Sequence, residues 1–513
     1  MILLDKKSYI YFVSIVISFL LTAICIYHYP VFNVDGSLYL RSADVYLHKG
    51  LGEAMHLYNW PLYYLTIAWT SNLTGLSILN SAYLLNYLFS ALTVITFVAL
   101  IGELGGSKKI LWISALVILV FHQFNKYQPS LIRGHGYWLF FLLSLFFLVR
   151  FSKYLNWRNA IAWSFCIILA TLFRIEGAVL LFFAPLIVWF FYTLSWRQRF
   201  FAYIKLNILI IIELFLFFGI YLYHHMHGFN SIHFNSFGRI SELMQNTIGG
   251  DMASAHFFQQ HALTLRNHVL PFEGAGDANL FLFFGMLGIY VFTIVSTFSL
   301  TYTIPALYSG FKRLMPASVY SRYVLLAYII INVVVTCLFY SQSLFLSFRY
   351  VFPLALVLLC YVPFGLEGLY YQWKNRTKNL SIRGLLFPFV CVMMLGLLVG
   401  NLFHTGPSHQ YIYDAGKWLK ANTNTHATVY TNSGRLGYFA DRKFVGWNNE
   451  EPNCFNVSRL SQRPWIGYNY LALLFDSGQD KVQQQVKTII GKEPIKSFYY
   501  KRRDKTVLIF KLK

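Results

Sequence analysis

Apolar runs close to 20 residues long recur along the chain to about residue 404 and then stop. Runs of that length match the hydrocarbon thickness of a bilayer. They predict helices at 9–29, 80–102, 110–122, 136–151, 159–173, 177–195, 202–224, 280–303, 322–341, 350–371 and 385–404, about eleven in all. Apolar character from 159 to 195 is broken only at Arg174-Ile175-Glu176-Gly177, where two charges and a glycine interrupt it. Most stretches between runs are short. Two are long: 30–79 and 225–279. Segment 50–79 is amphipathic and broken by Pro61, which suits short helices lying along a membrane surface. The pattern changes after 404. Tyr411 to Asn422 puts Ile412, Ala415, Trp418 and Leu419 on one helical face. Ala427 to Thr431 reads as a strand, Asn432 to Arg435 as a turn, 478–490 as a helix and 507–510 as a strand. The expected fold class is an α-helical multi-pass membrane protein with a small α/β domain at its C-terminal end. The transmembrane domain is 1–404 and the α/β domain 405–513.

Composition agrees with the pattern. The chain is 57% hydrophobic and only 12% charged, about half the charge of a soluble domain. Its formal charge of +22 has a topological cause. Lys6/Lys7, Lys108/Lys109, Lys153/Arg158, Arg197/Arg199/Lys205, Lys312/Arg313 and Lys374/Arg376/Lys378/Arg383 fall in alternate loops, which the positive-inside rule assigns to the cytoplasm. The N-terminus is then cytoplasmic and the C-terminal domain extracytoplasmic, on the same side as 30–79 and 225–279. Membrane lipid headgroups are the expected partners of the remaining basic excess. No basic helix with interleaved aromatics points to nucleic acid. Six cysteines form no CxxC pair and imply no disulfide framework.

Candidate chemistry gathers on the outer side. Asp35 follows the first span almost at once, and an acid there is costly without a partner or a role. It reads as a general base toward a hydroxyl or as a turn or helix cap. Asp44 and Glu53 lie in the same segment, as a second carboxylate or as solvated surface acids. Arg174 and Glu176 read as a phosphate-binding site or as an internal ion pair. Arg133 and His135 open one span, and Arg349 opens another. Each arginine alone fits headgroup snorkelling, but their joint placement on the side of Asp35 suits a lipid-linked phosphate ester. His224, His225, His227 and His233 invite a metal reading, yet match no ligand spacing. The default is a wet lid end, with no cofactor and no metal assigned, although a divalent cation remains compatible. No Walker loop, GxSxG or dinucleotide fingerprint occurs.

In layout the chain resembles the polytopic glycosyltransferases of the GT-C fold, the protein O-mannosyltransferase and aminoarabinose-transferase type. The resemblance rests on Asp35-Gly36-Ser37-x-Tyr39 after the first helix and on Asn59-Trp60-Pro61-Leu62-Tyr63-Tyr64 at the return to the membrane. It rests also on Arg174-x-Glu176-Gly177, on Ser347-x-Arg349-Tyr350-x-x-Pro353 and on the external stretch Tyr411–Asp441. Some relatives carry a paired acid where this chain has Asp35-Gly36. The resemblance implies inverting transfer of a sugar from a polyprenyl (undecaprenyl or dolichyl) phosphate to a protein, lipid or glycan acceptor on the outer face, as at a bacterial inner membrane. Asp35 is then the base. Arg133, His135, Arg174, Glu176, Arg349, Tyr39 and Tyr63 are the candidates for holding donor phosphate or substrate. The alternatives are a surface-polysaccharide ligase or polymerase, kept open by 225–279, and a lipid-linked sugar flippase, which predicts inverted repeats that the sequence does not display.

Overall fold

The structure is a computed structural model that describes residues 6–226, 250–375, 382–403, 409–445, 461–500 and 505–513. Helices occur at all eleven predicted spans. The first part of the chain forms α1 (Lys6–His28), α2 (Val34–Lys49), α3 (Leu51–Leu57), α4 (Leu62–Thr74), α5 (Ile78–Glu103), α6 (Lys108–Val120), α7 (His122–Tyr127), α8 (Gly134–Tyr154), α9 (Trp157–Phe173), α10 (Gly177–Phe183) and α11 (Trp196–Met226). Then follow α12 (Gly250–His268), α13 (Ala278–Phe298), α14 (Leu300–Phe311), α15 (Val319–Ser343), α16 (Phe348–Leu359), α17 (Val362–Lys374) and α18 (Ile382–Leu402). Polar caps start several of them. Ser77 accepts from Asn80 N–H, Asn156 from Asn159 N–H and Ser318 from Ser321 N–H, each meeting an N–H that the helix leaves unpaired.

The number of crossings is smaller by helix length than the sequence suggested. Among the described residues six helices are long and apolar enough to span a bilayer, or seven if α16 and α17, bent by 50°, form one span. Helices α6 and α9 have 13 and 17 residues, or about 20 and 25 Å at 1.5 Å per residue. The expected span 177–195 is a seven-residue helix followed by a 3-10 turn at Ala184–Phe190. The expected span 280–303 breaks at Ser299, whose φ is 63°. On α13, Phe281, Phe284 and Phe292 are each more than half exposed. Such an apolar surface belongs in lipid, so the chain is an integral membrane protein.

In segment 30–79 the short helices expected within 50–79 are present, and the stretch before them, expected as a loop, also forms a helix from Val34. The segment folds into α2, α3 and α4, and α2 and α4 pack on each other and on α5. Asn33 Oδ1 accepts from Leu131 N at 2.7 Å and ties this segment to the turn before α8. Gly36 makes the approach possible, since a Cβ there would lie 2.9 Å from Leu131 Cβ.

The C-terminal region is an α/β unit. Helix α19 (Gln410–Asn422), β1 (Thr428–Thr431), α20 (Gly434–Ala440), β2 (Lys443–Val445), β3 (Tyr470–Phe475), α21 (Asp480–Ile490), β4 (Lys496–Tyr500) and β5 (Lys505–Lys511) build a sheet of order β2-β1-β3-β5-β4. β1 pairs parallel with β2 and β3, while β5 pairs antiparallel with β3 and β4. Ile412, Ala415 and Leu419 of α19 are buried against one face, as their spacing predicts. Residues 432–435, expected as a turn, lead into α20. That helix reaches the bundle: Tyr438 and Phe439 pack around Phe32, with ring centroids 5.3 and 5.2 Å away.

Candidate active site

Four chain segments end at the same end of the bundle. They are the start of α2, the turn before α8, the turn after α9 and the start of α16. Between them lies an open cavity, about 310 Å³ of unfilled space counting the part that is open to solvent, lined by Asp35, Tyr39, Ile132, Arg133, Gly134, Arg174, Arg349 and Tyr350. Five residues singled out in the sequence thus share one cavity, although up to 314 positions separate them.

Asp35 sits in the first turn of α2, where no side chain caps the helix. Its carboxylate points instead across to α16. Arg349 Nη1 donates to Asp35 Oδ2 at 2.5 Å, and the two side chains remain 30% and 40% exposed. Arg174 is built differently. It ends α9 with an extended backbone, and its guanidinium donates from Nε (3.2 Å) and from Nη2 to the two oxygens of Glu176. The side chains of this pair are only 8% and 22% exposed. Gly177 lets the turn close, because a Cβ there would lie 2.7 Å from the Thr171 backbone. Burial alone raises the Glu176 carboxyl, but the Arg174 charge and hydrogen bond outweigh it and hold the carboxyl down to about 2. Arg133 has no carboxylate within ion-pair distance among the described residues; its guanidinium lies 5.3 Å from the Tyr58 ring centroid.

Tyr350 stood in the motif Ser347-x-Arg349-Tyr350-x-x-Pro353 but was given no role from the sequence. Its ring lies 4.6 Å from the Arg174 guanidinium and 5.5 Å from that of Arg349, so one aromatic ring serves both cations. The signal was available in the dipeptide Arg349-Tyr350 at a helix start. Arg174, Glu176 and Tyr350 also line an adjoining hollow with Tyr137, Phe339 and Pro353.

The other candidates stand apart from the cavity wall. His135 is buried, and its Nε2 lies 3.1 and 3.0 Å from the Tyr127 and Ser130 carbonyls, so the ring braces the turn before α8. Tyr63 is buried behind Tyr39, the rings edge to face at 5.0 Å. Asp44 pairs with exposed His48, and Glu53 is exposed; neither lines the cavity. His224 and His225 end α11, while His227 and His233 lie outside the described residues, as do positions 227–249 of the expected lid.

The sequence matches no protein-family model and no curated protein. Its structure does have solved relatives. ArnT from Cupriavidus metallidurans in the apo state superposes with a TM-score of 0.55 at 14% identity, over 98% of this chain and 97% of that one. The same enzyme bound to undecaprenyl phosphate gives 0.51 at 14% identity with the same coverage. This is a GT-C fold. The Archaeoglobus fulgidus oligosaccharyltransferase, tethered to an acceptor peptide containing the NVT sequon, gives 0.50 at 12% identity over 98% of this chain and 74% of that one. The GT-C layout read from the sequence motifs is therefore the layout of the fold. These identities carry no residue role from those proteins to this chain.

Proposed function

We propose that the chain is an inverting glycosyltransferase that takes a sugar from a polyprenyl phosphate carrier and passes it to an acceptor hydroxyl or amine. The observation that supports this most is the convergence of Asp35 with Arg133, Arg174 and Arg349 in one cavity at one end of a GT-C bundle. In the reaction the acceptor heteroatom bonds to the anomeric carbon as the bond from that carbon to the phosphate oxygen breaks. The electron pair leaves on the lipid phosphate, and the acceptor proton passes to Asp35. Attack from the face opposite the leaving group inverts the centre. The phosphate gains negative charge as the bond breaks, so Arg133 and Arg349 stabilise it where the charge develops. Arg174, held by Glu176, shapes the wall and adds long-range positive potential. In this reading arginines do the work of charge stabilisation, and no metal or other cofactor is assigned.

The proposed orientation puts the cavity and the α/β domain, 405–513, outside the cytoplasm, as at a bacterial inner membrane. The opposite end of the bundle carries Lys153 on Glu103 at 3.2 Å and Lys205 on the Leu155 carbonyl, among the basic loops of the sequence. The acceptor is a protein, lipid or glycan presented there. The test is transfer of radiolabelled sugar from membrane-extracted polyprenyl phosphate donors, comparing the natural chain with Asp35→Asn at equal membrane abundance. Loss of transfer supports Asp35 as the base, because Asn keeps the size but cannot take the proton. Full transfer by Asp35→Asn removes that assignment.

A further inference from the structure

We infer that Asp35 and the phosphate of the lipid carrier compete for Arg349, so that the resting site holds its own carboxylate on the guanidinium until a phosphate ester displaces it. The inference rests on the proposed function and adds a switch to it. Three observations carry it.

The first is that the three cavity arginines are engaged to different degrees. Arg133 has no carboxylate within ion-pair distance among the described residues, feels Glu176 only at longer range, and offers an incoming anion its first contact. Arg174 is buried and held at two points by Glu176, and opening that pair would strand two charges away from water. Arg349 makes one contact to Asp35.

The second is exposure. With the two side chains 30% and 40% exposed, the Arg349–Asp35 pair belongs to the class that contributes little to stability. Opening it costs little, and a phosphate can offer Arg349 two oxygens at once where Asp35 supplies one.

The third is the chemistry of the freed group. Asp35 Oδ2 accepts from Arg349 Nη1, which takes one of the lone-pair sites of the carboxylate and ties it to the guanidinium rather than to an acceptor. Displacement returns it. The donor phosphate is a diester with one charge, and the released carrier phosphate is a monoester with up to two. Arg349 therefore binds the leaving group more strongly as the bond breaks, and one movement both clears the base and receives the phosphate. After release of the carrier, Asp35 gives its proton to water and the carboxylate takes Arg349 back.

The experiment is equilibrium binding of farnesyl phosphate, a short phosphate monoester of the same class, to the full chain in nanodiscs. The natural chain is compared with Asp35→Asn, Asp35→Ala, Arg349→Gln and the Asp35→Asn/Arg349→Gln double variant. Competition predicts that both Asp35 variants bind about fivefold more tightly than the natural chain. It also predicts that Arg349→Gln weakens binding more in the Asp35→Asn background than alone. Unchanged or weaker binding by both Asp35 variants, with an Arg349→Gln loss equal in the two backgrounds, overturns the switch and leaves the proposed function standing. No binding by the natural chain overturns both.

Discussion

Arg174 and Arg349 flank the ring of Tyr350, yet they hold their carboxylates in opposite ways. Arg174 and Glu176 are two residues apart, buried, and joined at both oxygens. Arg349 and Asp35 are 314 residues apart, half-exposed, and joined at one. Desolvation separates their roles. A buried pair is costly to break because the survivor has no water, whereas a half-exposed pair opens into solvent. The local pair shapes the turn between α9 and α10, and the long-range pair is the one that chemistry can use.

Breaking the buried pair should have the largest effect. Glu176→Gln should lower stability by about 3 to 5 kcal/mol, read as thermal melting in detergent. A loss under about 1 kcal/mol would place Arg174 among the exchangeable cations. The same pair has a pH signature. Its carboxyl is held down to about 2 when folded, against about 4.3 for a free glutamate. The depressed folded value means that the stabilisation, about 3 kcal/mol, is complete above the unfolded value and is lost as pH falls from about 4.5 toward 2. Melting temperatures of the natural chain and of Glu176→Gln should converge across that window. Parallel curves would show that the pair contributes nothing.

The exposed pair should respond the other way. Asp35→Asn should reduce transfer by about 100-fold or more while shifting stability by less than about 1 kcal/mol; an equal loss of fold would make Asp35 a structural residue. Arg133→Ala should weaken farnesyl phosphate binding about tenfold, the loss of one charged hydrogen bond, with normal melting. Unchanged affinity would remove Arg133 from the phosphate site. The smallest effect is expected where the α/β unit meets the bundle. Phe439→Ala should cost about 1 kcal/mol through lost ring contact with Phe32, visible as easier proteolysis of the C-terminal region. Identical cleavage would mean that this contact does not anchor it.

Some of this could be read along the chain. Membrane-length apolar runs located helices at eleven places because burial in lipid demands a long, uninterrupted apolar stretch. Breaks inside those runs were harder to see. Ser299, with φ of 63°, and the 50° bend between α16 and α17 arise where packing overrides a continuous pattern. The start of segment 30–79 looked like a loop because α2 has little apolar excess, whereas short helices were expected within 50–79. That start is helical because Asn33 and Gly36 dock it on the turn before α8.

The sequence by itself determined which residues had chemistry to offer and that they fall in the loops lacking the basic clusters, since charge and hydropathy act locally and need no partner. It determined the Arg174–Glu176 pair as a possibility, because two residues of chain suffice to bring those charges together. Only the tertiary structure decided that Asp35 meets Arg349, that His135 braces a turn, and that Arg133 alone among the three cavity arginines has no described carboxylate within ion-pair distance. Those outcomes depend on how helices from distant parts of the chain end beside one another, and no local pattern encodes that distance.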